Sequence, residues 1–572
     1  MVGFRAVSLR STNIEKLDGG HFDVFIVGTG INGAVSAAVL AGRGASVAVI
    51  DRGDFGSFTS QESSNLVWGG FKYLENYELG LVRKLCLSRN RLIDAYPANI
   101  REIRFLAALD ESSPFAPALA SLGTLAYWGI GSFATKPPRH LSAKKIEDVE
   151  PIINTEAVRG GIEYSDAYLK DNDARFVFSF VRSAIKAGAT AANYVELASA
   201  ERENGKWKAN MVDRETGRTF SATADIIINA AGPFIDGLNQ SWNLRTDHRI
   251  VYSKGIHLVV PQLTKHERVL AFFDDTQRLF YVIPMGNRSV IGTTDNRVDD
   301  PNTAVDDEDR NFLLGQINAR LDLENPLTID DIIAERSGVR PLVVNNDGDD
   351  QTDVDWTSLS RKHEIERDAV LNVVSIFGGK LTDCLNVGEE VAAEVEALGI
   401  KLDEDDGEWY GEPPAEMREE FYREARLMGL DDLRPHADIE PLSDRLWRRY
   451  GQRAFAMLEA IREDPAMGED IMDSADYLRV ELHQAAHTEM ITRLEDFMRR
   501  RSKIELVVRE DAYRDSEGLR EVAEILFGDR ADAKLAQYFG DASAKTAALA
   551  GIKAELGSDT SVAMTETAAP DE

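Results

Sequence analysis

Unbroken apolar runs of strand length recur along the N-terminal and central parts of the chain, each followed by a glycine turn or a helical stretch. Val24-Phe25-Ile26-Val27 is the first, and its length and lack of alternation predict a buried strand. A small-residue stretch from Ile31 to Gly42 reads as helix, and Ser46 to Ile50 as a second strand ending on Asp51. Between strand and helix lies Gly28-Thr29-Gly30-Ile31-Asn32-Gly33. Strand, tight glycine turn, helix, strand and terminal acid form a dinucleotide-binding βαβ unit. Gly28 permits the sharp turn, Gly30 lets the backbone approach a pyrophosphate, and Gly33 allows close helix–strand packing. The helix starting near Ile31 would hold that pyrophosphate at its positive end. Asp51, roughly twenty residues on, is placed to accept from a ribose.

The same reading continues downstream. A helix runs from Asp173 to Ala187, and a hairpin turns at Arg214-Glu215-Thr216-Gly217. The buried strand Ile226-Ile227-Ile228-Asn229 leads into Ala230-Ala231-Gly232-Pro233. Lys254 to Pro261, Leu279 to Pro284 and Ser289 to Asp295 form a β-rich block, followed by a charged helical stretch from Asp306 to Leu321. Val374-Ser375-Ile376-Phe377 enters a second glycine turn, Gly378-Gly379-Lys380-Leu381-Thr382, and a helix through Val387 to Leu398. From Lys401 the pattern is helical and highly charged, with helices expected over Glu416–Leu430, Leu446–Glu463 and Asp476–Arg501. The basic run Arg499-Arg500-Arg501 reads as a solvated face. The region from Ile100 to Val149 is irregular and reads as a connector and part of a cap. The tails, 1–20 and 541–572, are expected to be flexible.

Length and charge narrow the picture. At 572 residues the chain holds two or three domains, and 43% hydrophobic with 28% charged residues is ordinary for a globular protein. A net charge of −32 argues against nucleic acid and against broad docking on anionic lipid, and it is compatible with a high-salt cell interior. Cys86 and Cys384 are too few for a disulfide framework or a four-thiolate metal site, which fits a reducing cytoplasm and no metal. Ser112 to Thr135 carries no charge but is diluted by Pro, Ser and Gly, so it reads as core or as an interfacial contact rather than a span.

From Gly28 to Tyr73 the chain resembles the N-terminus of the FAD-dependent glycerol-3-phosphate dehydrogenases. The fingerprint is followed by an acid-ended strand, Gly53-Asp54-Phe55, a Ser/Thr loop from Ser57 to Ser64, and Gly69-Gly70-Phe71-Lys72-Tyr73-Leu74-Glu75. Tyr164-Ser165-Asp166, Asp173-Ala174-Arg175, Ile291-Gly292-Thr293-Thr294-Asp295 and the C-terminal helical stretch around His487 to Arg501 extend the likeness. The resemblance implies an α/β fold of the glutathione-reductase/D-amino-acid-oxidase type. Its FAD-binding domain would be built from 21–100, 150–240 and 330–400, and its β-rich substrate domain from 101–149 and 241–329. A helical domain would occupy 401–540.

It further implies FAD held by Gly28, Gly30, Ile31, Asn32, Gly33, Asp51, Arg52, Thr59, Ser60, Ser64, Gly69, Gly70, Ala231, Gly232, Gly379, Lys380, Leu381 and Thr382. The implied reaction oxidises glycerol 3-phosphate or a related polyol or polyol phosphate at carbon, with hydride passing to the flavin and electrons onward to a quinone or another carrier. Such a site needs a base, a donor for the developing carbonyl oxygen, and cations for phosphate. His257 is the candidate base, Arg340 orients and polarises the reacting oxygen, and Lys380 is a flavin- or substrate-facing cation. Arg361 is a candidate phosphate fork, with Lys72 and Tyr73 lining the pocket. An amine or amino-acid oxidase and a non-catalytic FAD-binding partner subunit are the alternatives. A homodimer and a peripheral position on the inner face of the membrane stay open.

Departures from the family pattern cluster near the site. Asn65, Trp68 and Lys72 stand where Lys, His and Arg are usual, Phe58 and Thr29 where glycine is usual, and Asp383-Cys384-Leu385 where Thr-Tyr-Arg is usual. Lysine does not reproduce arginine's bidentate contact, so these changes bear on the substrate rather than on FAD.

Overall fold

The computed structural model describes residues 8–75, 77–274, 276–346, 362–434, 440–472 and 475–540. Two large sheets organise it. In the first, strands run in the order Glu364–Asp368, Val373–Phe377, Thr219–Asn229, His21–Val27, Val47–Ile50 and Thr190–Ala192, with the hairpin Val195–Glu203 and Lys206–Asp213 joined through Thr219–Asn229. His21–Val27 pairs in parallel with both Thr219–Asn229 and Val47–Ile50. Parallel strands are covered on both faces and hence continuously apolar: Val24, Phe25 and Ile26 are fully buried. The helix Ile31–Gly42, rich in Ala and Val, packs between this sheet and the helices Asp173–Lys186 and Cys384–Ala397.

The second sheet holds ten strands built around Ile100–Leu109, Gly160–Leu169, His248–Pro261, Arg268–Phe273, Leu279–Met285 and Arg288–Gly292. Ala334–Asn345 pairs antiparallel with His248–Pro261 along its length, placing Arg336 opposite His257 and Arg340 opposite Ser253. Gly160–Leu169 and Ala334–Asn345 therefore join the second sheet, although their place in the chain grouped them with strands of the first. Ile100–Leu109 is a central strand, not an irregular connector, and pairs with Gly160–Leu169 over ten residues.

Two expectations about the ends change. Leu9–Leu17 is a helix rather than a flexible tail: Ile14 and Leu17 are buried, and Arg10 pairs with Asp213 at 2.6 Å. The tail 541–572 lies outside the described residues. The helix Pro117–Ile130 turns Leu119, Leu122 and Leu125 outward, and Phe133 follows them. Among the described residues no helix is long and apolar enough to cross a membrane.

The C-terminal region is helical, with helices at Ala415–Met428, Leu442–Tyr450, Ala454–Glu463, Arg479–Thr488 and Glu517–Phe527. Its basic run is not a solvated face. Arg499, Arg500 and Arg501 are all buried and reach Glu62 and Asp54 near the other end of the chain. Arg500 and Arg501 each reach Asp54 at 2.8 Å, and Arg500 also binds Asp496 at 2.7 Å. Buried guanidinium groups require such partners. Asp54 is a neighbour that sequence distance hides, whereas Asp496 lies one helical turn away.

Candidate active site

The two glycine turns meet. Asn32, one residue into the first helix, donates from Nδ2 to the carbonyl of Gly378 at 2.8 Å, tying the first turn to the second. Gly28 and Gly379 have φ of +98° and +105°, a region that favours glycine. A Cβ on Gly28 would sit 2.6 Å from the carbonyl oxygen of Ala230, and one on Gly33 would sit 1.9 Å from that of Gly28. Gly33 thus serves helix–strand packing, and the backbone of both turns is left bare.

A cavity of about 900 Å³ runs along these turns, lined by Gly28, Gly30, Ile31, Asn32, Asp51, Arg52, Thr59, Ser60, Ala231, Gly232 and Gly379 among others. Asp51 accepts from the amide and hydroxyl of Thr29, both at 2.7 Å, and from the Gly53 amide at 2.8 Å. Two carboxylate oxygens offer about four acceptor sites, so capacity remains for a ribose hydroxyl. Burial in the wall pushes the Asp51 pKa up against these hydrogen bonds. The Ile31 amide is taken by Ser60 Oγ at 3.0 Å, so Ser60 closes the first helical turn instead of leaving that N–H for a phosphate. Arg52 stacks on Phe234 at 3.8 Å, and Phe58 packs edge-on against the same ring.

The cavity fits FAD. Its floor is glycine backbone at a helix N-terminus, and Asn32 Oδ1 is a buried acceptor with no partner among the described residues.

A second cavity of about 320 Å³ shares Ile31, Thr59, Ser60, Pro341 and Gly379 with the first, so the two are continuous. Its wall carries Glu62, Ser64, Trp68, Lys72, His257, Arg278, Tyr281, Thr293, Asp295, Arg340, Lys380, Leu381 and Thr382. His257, Arg340 and Lys380, far apart in sequence, are thereby brought together. His257 is 3% exposed, and among the described residues neither ring nitrogen has a hydrogen-bond partner. Burial, then the charges of Arg336 and Arg340, hold its pKa well below the usual imidazole value. It is therefore neutral at physiological pH.

Arg340 lies over Gly255, where a Cβ would fall 2.2 Å from its guanidinium. It donates to Thr293 Oγ1 at 2.7 Å and to the Thr294 carbonyl at 3.2 Å, and meets Asp295 at 3.4 Å. Arg278 donates to the Asp295 carbonyl at 2.8 Å. Lys380 Nζ donates to the Tyr73 hydroxyl at 2.5 Å and lies 4.2 Å from that ring's centre.

Several expected residues sit elsewhere. Tyr73 lines neither cavity; it is buried behind Lys380 and supports it. Gly69 and Gly70 line neither cavity. A Cβ on Gly69 would lie 2.2 Å from the Tyr127 hydroxyl, and its amide donates to Asp166 at 3.0 Å, so these glycines serve packing. Ser64, Leu381 and Thr382 line the second cavity, not the long one. Arg361 lies outside the described residues.

Of the departures, Trp68 and Lys72 face the second cavity and Phe58 the first. Asn65 is buried and holds the carbonyls of Leu169 and Asp171. Asp383 and Cys384 are buried outside both cavity walls. The motif residues Asp166, Asp173 and Arg175 form buried ion pairs with Arg89, Arg336 and Glu489.

Sequence reasoning missed Arg278, Tyr281, Asp295, Glu62 and Arg336. The strand bearing Tyr281 was legible, and Asp295 falls in the short segment between the strands Arg288–Gly292 and Asn296–Val298, but which side chains face the cavity was not.

A glycine-floored channel opening onto a cationic pocket defines a flavin-dependent oxidoreductase. The FAD dependent oxidoreductase family matches residues 23–392, and the C-terminal domain of alpha-glycerophosphate oxidase matches residues 434–530. The chain belongs to the FAD-dependent glycerol-3-phosphate dehydrogenases, oxidoreductases that act on CH–OH donors. It is 30% identical to a glycerol-3-phosphate dehydrogenase of Pseudomonas aeruginosa over 498 residues, 85% of this chain and 92% of that one. It is 29% identical to a D-erythritol 1-phosphate dehydrogenase of Brucella abortus over 494 residues, 84% of this chain and 94% of that one. In fold it matches the Bacillus halodurans glycerol-3-phosphate dehydrogenase complexed with FAD, with a TM-score of 0.70 and 22% identity, covering 94% of this chain and 98% of that chain. FAD is the cofactor.

Proposed function

We propose that the second cavity binds a polyol phosphate, glycerol 3-phosphate first among them, and that its secondary alcohol is oxidised to the ketone. Bound FAD supplies the hydride acceptor. His257 takes the hydroxyl proton at a ring nitrogen; its neutral state suits it to act as a base near physiological pH. Arg340 donates to the same oxygen as it becomes a carbonyl. Lys72, Arg278 and Lys380 set the positive field that receives the phosphate. The electrons pass onward to a quinone or another carrier.

The observation that carries this reading is the buried imidazole with both nitrogens unpartnered among the described residues, in one cavity with Arg340 and Lys380. Relatives named for glycerol 3-phosphate and for D-erythritol 1-phosphate stand at similar identity. Together they favour polyol phosphates as a class, with Trp68 and Lys72 tuning the choice.

The test is anaerobic reduction of the purified holoprotein by glycerol 3-phosphate, D-erythritol phosphate, glycerol and amino acids. Bleaching by the phosphorylated polyols supports the proposal. Bleaching by amino acids alone would overturn it in favour of an amine-type oxidase, and no bleaching by any of them would favour a non-catalytic subunit.

A further inference from the structure

The wall of the second cavity contains one carboxylate whose partner comes from the far end of the chain. Glu62 lines the cavity, yet its two oxygens lie 3.0 and 2.8 Å from Nη2 of Arg499, 437 residues away. Arg499 sits in the helical segment Asp496–Arg501 and is almost fully buried. That segment is pinned at Arg499 and just after it: Asn172 Nδ2 donates to the Arg499 carbonyl at 2.5 Å, and Arg500 and Arg501 bind Asp54. Glu62 Oε1 also accepts from Gln61, and Oε2 lies 3.8 Å from Nε of Arg336, whose own ion-pair partner is Asp173 at 2.5 Å. Gly338 leaves the Glu62 stem no slack, because a Cβ there would stand 2.7 Å from Glu62 Cβ. Burial outweighs the pull of Arg499 and Arg336 and leaves the Glu62 carboxyl pKa above its usual value. Both of its oxygens nevertheless accept from one guanidinium nitrogen, the arrangement of a carboxylate paired with its cation.

The charge balance gives this contact a consequence. Among the described residues, the charged groups in the wall that an anionic substrate meets are the cations Lys72, Arg278, Arg340 and Lys380 and the anions Glu62 and Asp295. A buried carboxylate left uncancelled would repel a phosphate or draw one of those cations to itself. At a separation of about 6 Å and an effective dielectric near 20, such an effect is worth more than a tenfold change in affinity.

We infer that Arg499, in the C-terminal helical domain, is a positioning residue for the substrate: it neutralises and immobilises Glu62, so that the cations of the cavity stay available to an anionic donor. The inference rests on the polyol phosphate reading given above. It assigns the C-terminal domain a part in substrate affinity, although that domain contributes no side chain to the cavity wall among the described residues.

The test is a double-mutant cycle on the holoenzyme, using glycerol 3-phosphate and following anaerobic flavin reduction. In the Glu62 background, Arg499→Met is expected to raise KM about tenfold or more, with the limiting rate falling less than threefold. In the Glu62→Gln background the same change is expected to move KM less than twofold, because no charge remains to be cancelled. A merely structural role would give equal losses in both backgrounds, and that result overturns the inference. So does an unchanged KM in Arg499→Met. Should Arg499→Met fail to retain flavin, Arg499→Gln, which keeps a donor but removes the charge, takes its place in both backgrounds, with the same KM changes expected and the same results overturning the inference. Wild-type flavin that no polyol phosphate reduces would instead overturn the reading of the site itself, which separates the two failures.

Discussion

The helix that follows the second glycine turn is held to the sheet edge by a buried histidine, and its contribution to stability has a definite pH dependence. His363 is 5% exposed, with Nδ1 2.9 Å from Asp383 and Nε2 2.8 Å from Glu390, both on or beside the start of the helix Cys384–Ala397. Burial opposes the charged form, but the two carboxylates win and raise the His363 pKa to about 9 from 6.5. A raised pKa stabilises the fold fully below the unfolded value and loses that stabilisation as pH climbs through the folded value. At roughly 1.36 kcal/mol per pH unit, the full shift is worth about 3 kcal/mol. Glu390 is 47% exposed, so solvent screening lowers the total to about 2 kcal/mol. His363→Gln is therefore expected to destabilise by about 2 kcal/mol at pH 6 and by much less at pH 10, where the wild-type ring is already neutral. Thermal melts of both proteins at the two pH values measure the gap. A gap that stays constant or widens with pH would refute the charged-histidine account.

Other expectations follow from the same geometry. Gly33→Ala places a methyl 1.9 Å from the Gly28 carbonyl oxygen, so the turn must shift and FAD retention after gel filtration is expected to fall sharply. Asp54→Asn removes the shared anion of Arg500 and Arg501. A buried pair broken on one side costs about 3–5 kcal/mol, which denaturant midpoints would register, with the helical domain becoming protease-sensitive first. The depressed pKa of His257 predicts that flavin reduction at saturating substrate stays flat as pH falls through 6.5 and declines only well below it. Pre-steady-state rates across that range provide the check, and an acid limb at or above 6.5 would contradict a neutral buried base.

What could be read in advance divides by the range of the interaction. Local signals sufficed for the first glycine turn, the strand leading to Asp51 and the second turn at Gly378-Gly379, because apolar runs and turn glycines are written within a few residues. The likeness carried by those segments pointed to His257, Arg340 and Lys380, which line one cavity. Sheet membership was not legible for Gly160–Leu169 or Ala334–Asn345, since pairing partners are chosen at long range. Gly69 and Gly70 read as cofactor glycines because packing against a buried tyrosine leaves the same sequence mark as packing against a ligand. The run Arg499-Arg500-Arg501 read as surface because its partners, Glu62 and Asp54, lie more than four hundred residues away. The departures at Asn65 and Asp383 looked like changes in the substrate pocket. Both side chains are instead occupied in buried hydrogen bonds, leaving Trp68 and Lys72 as the departures that touch the second cavity.

The most direct test of the account compares wild type with His257→Gln, both loaded with FAD, under anaerobic glycerol 3-phosphate and under a chemical reductant. If the unpartnered imidazole takes the substrate proton, bleaching by glycerol 3-phosphate slows by about 10²–10⁴-fold in the variant, while the chemical reductant bleaches both proteins alike. Equal bleaching of the two proteins by glycerol 3-phosphate would contradict it.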